Sequence, residues 1–265
     1  MIEAIGYILA IIIGLSLGLI GSGGSILTVP LLVYFFGLDA VMATAYSLFI
    51  VGISSGVGAV RFIIRKEADL RTATLFAVPA LVAVYTVRRY LVPALPEILF
   101  SVNGFEVSKD TFILLFFALI MLWAAVKMIR PQTAQTPSPR PRSYNYGIIL
   151  LEGAIVGGVT GFVGAGGGFL IIPALVLLVG MPMKKAVATS LLIITVKSLL
   201  GFIGDVQTQA IDWQLLITLS LMASGGIYAG MALGKKIDGS QLKRGFGYFV
   251  LFMALFMLVK ETGFL

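Results

Sequence analysis

GLIGSGGSILTVP at residues 18–30 and GFVGAGGGFLIIP at residues 161–173 say nearly the same thing twice. Each is a glycine knot that interrupts a long apolar run, and each is followed at the same spacing by a proline, Pro30 or Pro173. In water such a knot would be a loop. Both lie in stretches apolar enough for a bilayer, where irregular backbone is tolerated only if protein buries it or it lines a polar cavity. Interrupted hydrophobic segments at corresponding positions in two halves of a chain point to the binding site of a membrane carrier.

The rest of the chain agrees with a membrane setting. Of 265 residues, 59% are hydrophobic and 12% charged, with mean hydropathy +1.05. Soluble domains carry about 25% charged residues. Apolar segments occupy 4–20, 25–37, 42–62, 71–90 and 110–129 in the first half. In the second they occupy 146–163, 168–180, 185–204, 213–233 and 245–260. Most fit helices crossing a core of about 30 Å, and none alternates with the period of a membrane barrel. There is no cysteine and no histidine, which excludes disulfides, thiol chemistry and metal sites built on those ligands. No segment reads as a cleavable signal, because the first basic residue is Arg61 and a signal needs a basic start. The +7 net charge is read as loop charge that sets topology rather than as a nucleic-acid surface.

The repeat extends beyond the knots. A shift of 143 positions carries Gly18, Gly21, Gly23 and Gly24 onto Gly161, Gly164, Gly166 and Gly167. It carries Leu27, Pro30 and Gly37 onto Leu170, Pro173 and Gly180, and Ala43, Ala45, Ser47, Ser55 and Gly58 onto Ala186, Ala188, Ser190, Ser198 and Gly201. FFALIML at 116–122 and FMALFML at 252–258 echo each other as well. The expected organisation is one transmembrane domain: a first half at 1–130, a flexible cytoplasmic linker at 131–145 (PQTAQTPSPRPRSYN), and a second half at 146–265. Basic residues in short loops face the cytoplasm. With the linker inside, Arg88, Arg89, Lys109 and Lys260 fall outside and Lys197 falls within the membrane. The rest of the 19 Lys and Arg lie inside. The basic 61–71 loop has the 205–212 loop, free of Lys and Arg, as its counterpart. The halves are therefore expected to face opposite ways, with both termini outside.

The expected fold class is an all-α integral membrane protein with an inverted-topology repeat. Each half would hold a broken or re-entrant helical hairpin plus three spanning helices. The piece from Ser25 to Gly37 would rise about 20 Å as a helix. A full first helix with a short second one, or two half-helices meeting at the midplane, would both fit. The hairpin places the knot at its tip. Outside the membrane, Asn103-Gly104 between apolar residues at 100–108 signals a β-hairpin, read as a cap on the outer face.

Candidate binding residues follow from helix electrostatics. Ser22, Gly23, Gly24 and Ser25 lead into one short helix, and Ala165, Gly166, Gly167 and Gly168 into the other. A helix N-terminus has unpaired N–H groups and roughly +0.5 charge, and glycine lets a ligand approach that backbone. Two such ends would bind an anion without a basic side chain. The competing explanation is tight helix packing. No Gly-Lys-Ser/Thr follows, so a phosphate loop is rejected. Hydroxyls on the third segment of each half (Thr44, Tyr46, Ser47, Ser54 and Ser55; Thr189, Ser190, Thr195 and Ser198) could donate to an oxyanion or bond their own helices. Ser47 and Ser190 stand out as repeat mates. Lys197 sits about halfway along its segment, where a charge costs about 2.5–3.5 kcal/mol on insertion scales and marks function by default. Its mate is Ser54. It could pair with a bound anion or with Glu152, the one acid well inside a segment and the candidate for coupling to a co-ion. Arg88, Arg89, Asp205 and Asp212 are read as solvated or headgroup-facing ends.

The paired G-x-x-G-x-G-G knots with their prolines, together with ATAYSL at 43–48 and VATSLL at 187–192, resemble the sulfite exporter TauE/SafE family of membrane permeases. The resemblance covers nearly the whole chain. It implies a transporter of small sulfur-containing anions (sulfite, thiosulfate or organosulfonates) in a prokaryotic plasma (inner) membrane. It places family-typical positions at Gly21, Gly23, Gly24 and Pro30, at Gly164, Gly166, Gly167 and Pro173, and at Ser47 and Thr189-Ser190 beside them. Tyr46 and Lys197 depart from the symmetric pattern. The expectation is a secondary transporter exporting a small oxyanion by alternating access. It would need no cofactor and no metal, and its partners would be the anion and the lipid bilayer. An anion channel and a proton-coupled importer are the alternatives. A membrane enzyme lacks a plausible catalytic set, and a scaffold would have no reason to duplicate the break.

Overall fold

The computed structural model describes residues 2–20, 22–102, 105–129, 146–164, 166–177, 179–207, 209–233 and 239–262. The first half runs α1 (Ile2–Ile20), a 3-10 turn (Ser22–Leu27), α2 (Thr28–Phe36), α3 (Ala40–Ile64) and α4 (Leu70–Thr86). α4 continues through a π turn (Val87–Leu91) into the short α5 (Val92–Ala94). Then come β1 (Ile98–Val102), β2 (Phe105–Ser108) and α6 (Lys109–Ile129). The second half holds α7 (Tyr146–Val163), α8 (Gly168–Leu177), α9 (Met183–Val206), α10 (Trp213–Leu233) and α11 (Gly239–Glu261). Each apolar segment expected from the sequence contains a helix among the described residues. The linker 131–145 lies outside the described residues.

Local chemistry sets the helix ends. Asp39 and Asp69 accept hydrogen bonds from the Met42 and Thr72 N–H groups at 2.8 and 3.1 Å, capping α3 and α4. Asp212 accepts from Leu215 N–H at 3.1 Å ahead of α10. Each such cap contributes about 1 kcal/mol. α2 and α8 end alike. Gly37 and Gly180 take left-handed φ of 66° and 74°, and the Leu38 and Met181 N–H groups bond back to the Leu32 and Leu175 carbonyls at 3.2 and 2.9 Å. The predicted β-hairpin is present, with Ser101 opposite Glu106 and Val102 opposite Phe105. Its Asn103-Gly104 turn lies outside the described residues.

Among the described residues, Ala40–Ile64, Leu70–Ala94, Lys109–Ile129, Lys185–Val206 and Trp213–Leu233 are long and apolar enough to cross a membrane. The protein is thus an all-α integral membrane protein with one small extramembrane hairpin. α2 has 9 residues and rises about 14 Å, less than a bilayer core.

α3 crosses α9 at the centre, α1 lies along α10, α4 along α7, and α6 against α11. In lipid no hydrophobic drive separates helices from solvent, so close backbone approach over small residues supplies the cohesion. A side chain at Gly14 would collide with the Ala223 carbonyl, and one at Gly157 with the Ala80 carbonyl. Gly58 abuts Ile227 and Leu191, while Gly201 abuts Val84 and Leu48. In both pairs the second contact joins the residues 143 positions from those of the first. At the α3–α9 crossing Gly52 packs on Leu199 and Gly56 on Thr195, again as mates.

Candidate functional site

The two glycine breaks come together. The 3-10 turn of the first packs on α8, which leaves the second, and it also touches α3 and α9. Both are sealed in protein: Ser25, Ile26 and Leu27 are buried, as are Gly166, Gly167 and Gly168. The cavity with a volume of about 240 Å³ between α4 and α9 is lined by Ala77, Leu81, Ile193 and other largely apolar residues and does not include the breaks.

The second break is built from glycine out of necessity. Gly164, Gly166 and Gly167 have φ of 73°, 62° and 68°, a region that strains any residue with a Cβ. The turn closes when Gly164 N–H donates to the Thr160 carbonyl at 2.8 Å. α8 opens with Leu170 and Ile171 N–H donating to the Gly167 carbonyl at 3.0 and 3.1 Å. Gly166 faces Val51 of α3 and Ile194 of α9. A Cβ on Gly167 would stand 2.8 Å from Lys197 Nζ and collide with the Thr160 methyl.

Lys197 is fully buried at 0% exposure. Its ammonium donates to Thr160 Oγ1 at 2.7 Å, and that hydroxyl lies 3.3 Å from the Gly157 carbonyl. Among the described residues no carboxylate lies within ion-pair reach of Lys197. An ammonium has three donors, and a buried unpaired charge is costly. The site therefore presents a basic nitrogen with hydrogen-bonding capacity to spare, pressed against a glycine turn. Thr160 was not singled out from the sequence. Its signal would have been its place on α7 one turn ahead of Gly164.

The other sequence candidates separate into groups. Ser47, Ser55 and Ser198 are fully buried and their hydroxyls have no hydrogen-bond partner among the described residues. At the α3–α9 crossing Ser55 adjoins Gly56 on α3 and Ser198 adjoins Leu199 on α9. Ser190 and Thr195 bond their own helix at the Val187 and Leu191 carbonyls, at 2.8 and 2.7 Å. Ser54 bonds the Ile50 carbonyl at 2.5 Å. Thr189 accepts the Asp69 N–H at 2.9 Å, and its mate Tyr46 accepts the Asp212 N–H at 2.5 Å. Both hydroxyls thus hold the start of a helix from the opposite half. Ser22 and Gly23 belong to the 3-10 turn, Gly24 packs against Ser16 and Leu17 of α1, and Gly168 begins α8. Ala165 and Gly21 lie outside the described residues. Glu152 does not pair with Lys197. Both its oxygens are buried with no partner among the described residues.

Arg88 and Asp205 correct the sequence reading. They are not solvated ends: they are buried at 0% and 2% exposure. Arg88 Nε donates to Asp205 Oδ2 at 2.8 Å and its NH2 group meets Oδ1 at 2.7 Å. NH1 donates to Thr44 Oγ1 at 2.8 Å and NH2 to the Val41 carbonyl at 3.2 Å. The partner carboxylate comes from the other half of the chain, which no local pattern reveals. At the opposite end of the same helix pair, Lys185 meets Asp69 at 2.9 Å in a more exposed bridge. Burial pushes the Asp69 carboxyl up. The Lys185 ammonium and the Thr72 and Arg71 N–H groups outweigh it, leaving Asp69 below the usual carboxylate range.

A bundle of apolar helices around two glycine breaks, with a buried lysine at one of them, agrees with a membrane transporter, the class to which the family and its relatives point. Residues 7–257 match the family described as Sulfite exporter TauE/SafE, and the chain belongs to that family. A probable membrane transporter protein of Xylella fastidiosa strain Temecula1 is 27% identical over 257 residues, covering 93% of this chain and 91% of the relative. The probable membrane transporter protein YunE of Bacillus subtilis strain 168 is 26% identical over 258 residues, covering 88% and 90%. A probable membrane transporter protein of Methanocaldococcus jannaschii is 31% identical over 116 residues, covering 42% of this chain and 43% of its own. No solved structure matches the chain.

Proposed function

We propose that the protein is a secondary transporter that exports small sulfur-containing oxyanions, with sulfite, thiosulfate and organosulfonates as the substrate class, by alternating access between two halves of opposite orientation. The observation that carries this reading is the Lys197 ammonium, fully buried against the second glycine break with Thr160 as its side-chain partner. An oxyanion would take the remaining donors and repay the cost of burying the charge. Ser47, Ser190 and the two knots (Ser22, Gly23, Gly24 and Ser25; Ala165, Gly166, Gly167 and Gly168) stay in the proposed binding region. Thr189 is better assigned to holding α4 in place. The inverted repeat is supported by the opposite charge bias of equivalent loops and by mated contacts such as Gly58–Leu191 and Gly201–Leu48. The short α2 and α8 and the contact between the first knot and α8 support the re-entrant form.

Export of an anion from a cell that is negative inside gains about 2.3 kcal/mol per charge per 100 mV, so it needs no co-ion. The test is flux of radiolabelled sulfite from reconstituted vesicles. Saturable, voltage-sensitive release supports the transporter, whereas non-saturating conductance would make it a channel. An absence of flux and binding for sulfite, thiosulfate and methanesulfonate sinks the substrate assignment.

One observation favours a second reading, proton-coupled transport. Glu152 lies eight residues before Thr160 on α7, about 12 Å along the helix, and both of its oxygens are buried without a partner among the described residues. On this reading it would carry a proton toward the break. Sulfite-driven proton movement that Glu152→Gln abolishes would establish it. Unaltered transport in that variant would remove Glu152 from the mechanism.

A further inference from the structure

Arg88 and Asp205 lie at the end of the bundle that carries the β-hairpin, and the packing of the helices gives no reason for their charges. The repeat mate of Arg88 is Met231 and that of Asp205 is Phe62. Met231 is buried, so at the position equivalent to Arg88 the other half buries an apolar side chain instead of a charge. Replacing a buried ion pair by well-packed apolar residues is often neutral or stabilising. An ion pair present where its mate does without one calls for a role other than cohesion.

Geometry indicates what that role is. The guanidinium presents a two-pronged face, Nε and NH2, to two carboxylate oxygens at 2.8 and 2.7 Å. The same fork fits two oxygens of any small oxyanion. Its remaining edge reaches Thr44 Oγ1 at 2.8 Å. Thr44 is the residue against which Gly164 of the second break packs, with its Cα and carbonyl oxygen each 2.5 Å from where a Gly164 Cβ would be. A single side chain therefore links the guanidinium to the break. Asp205 is eight residues beyond Lys197 on α9, about 12 Å along the helix. Gly204 lets α9 close on α4 at this point, where its missing Cβ would stand 3.3 Å from Arg88 Cβ. Arg88 also sits in the π turn Val87–Leu91, and π turns inside helices are frequent at functional sites.

We infer that Arg88 is a second oxyanion-binding residue, one step from the Lys197 site toward the hairpin end, and that Asp205 is the internal carboxylate that occupies its fork until an oxyanion displaces it. The inference rests on the oxyanion reading above. Asp205 then acts as a built-in competitor. It keeps the guanidinium buried without leaving it unpaired, and it sets the affinity with which an anion enters or leaves at this end.

The experiment uses the full chain in nanodiscs for binding and in vesicles for flux, with sulfite and methanesulfonate as probes. Asp205→Asn keeps the shape but weakens the competitor, and sulfite should bind about tenfold more tightly. The double variant R88M/D205F installs the residues found at the mated positions. It should melt no lower than the parent protein and lose sulfite flux by about tenfold or more. A double variant that folds and transports like the parent, or an Asp205→Asn protein with unchanged affinity, overturns the inference and leaves the transporter reading standing. If the double variant does not fold, the Asp205→Asn affinity decides alone. If the parent protein neither binds nor moves either probe, the function itself is wrong, and that result is distinct from the others.

Discussion

The two glycine breaks match in sequence and differ in backbone. The first enters its short helix through a right-handed 3-10 turn at Ser22–Leu27, so Pro30 falls in the first turn of α2, where a proline is tolerated. The second turns left-handed at Gly164, Gly166 and Gly167, α8 starts directly at Gly168, and Pro173 lies inside the helix. Beyond the breaks the pair converge again, closing α2 and α8 with the same left-handed cap. The difference follows the asymmetric charge. Lys197 stands against Gly167, whereas its repeat mate Ser54 bonds its own helix and Gly24 faces Ser16 and Leu17 of α1. Similar glycine patterns thus serve two ends: one break packs against α1, and the other makes room for a cation.

The largest expected effect separates those roles. Gly167→Ala adds left-handed strain of about 1–2 kcal/mol to overpacking of about 1–3 kcal/mol, while Gly24→Ala suffers the overpacking alone. Thermal unfolding in detergent should place Gly167→Ala clearly below Gly24→Ala. Equal melting temperatures would erase the distinction. Next, Lys197→Met removes the charge with little change of volume. It should fold at least as stably as the parent and lose sulfite-dependent thermal stabilisation, and retained stabilisation would take the ammonium out of the site.

Smaller effects probe the likeness of the halves. Thr189→Val and Tyr46→Phe each strip the hydroxyl from a backbone N–H in the opposite half, Asp69 or Asp212. Each should cost about 1–2 kcal/mol, and chemical denaturation showing one large and one negligible loss would break the parallel. The smallest effect is Asp69→Asn, which keeps the cap but loses the bridge to Lys185. The Asp69 carboxyl is held below its unfolded value near 3.8. Its contribution is therefore present above that value and lost as pH falls through the lower, folded one. Because the bridge is partly exposed, the expected cost at neutral pH is about 0.5 kcal/mol, vanishing in strong acid. A variant equally destabilised at every pH would show that the charge is irrelevant.

Much of this was legible in the residues. Helix positions followed from apolar runs, the break from its glycines, and Lys197 from the cost of a charge at mid-segment. Three things were not. Arg88 and Asp205 read as ordinary helix ends, because each needs the other half of the chain to explain it. Thr160 reads as a hydroxyl that satisfies its own backbone until Lys197 is folded against it. The opposite handedness of the two turns is invisible in nearly identical motifs, since glycine accepts either hand and the choice is made by the side chains around it.

The seams between α1 and α10 and between α4 and α7 have a thermodynamic consequence. They are formed where Gly14, Gly18, Gly226 and Gly230, and Gly153 and Gly157, let backbone meet backbone. Glycine and alanine have no rotamer freedom to surrender on burial. At these contacts the helices dock by dispersion between main chains, without the side-chain entropy loss that a seam of leucines would carry.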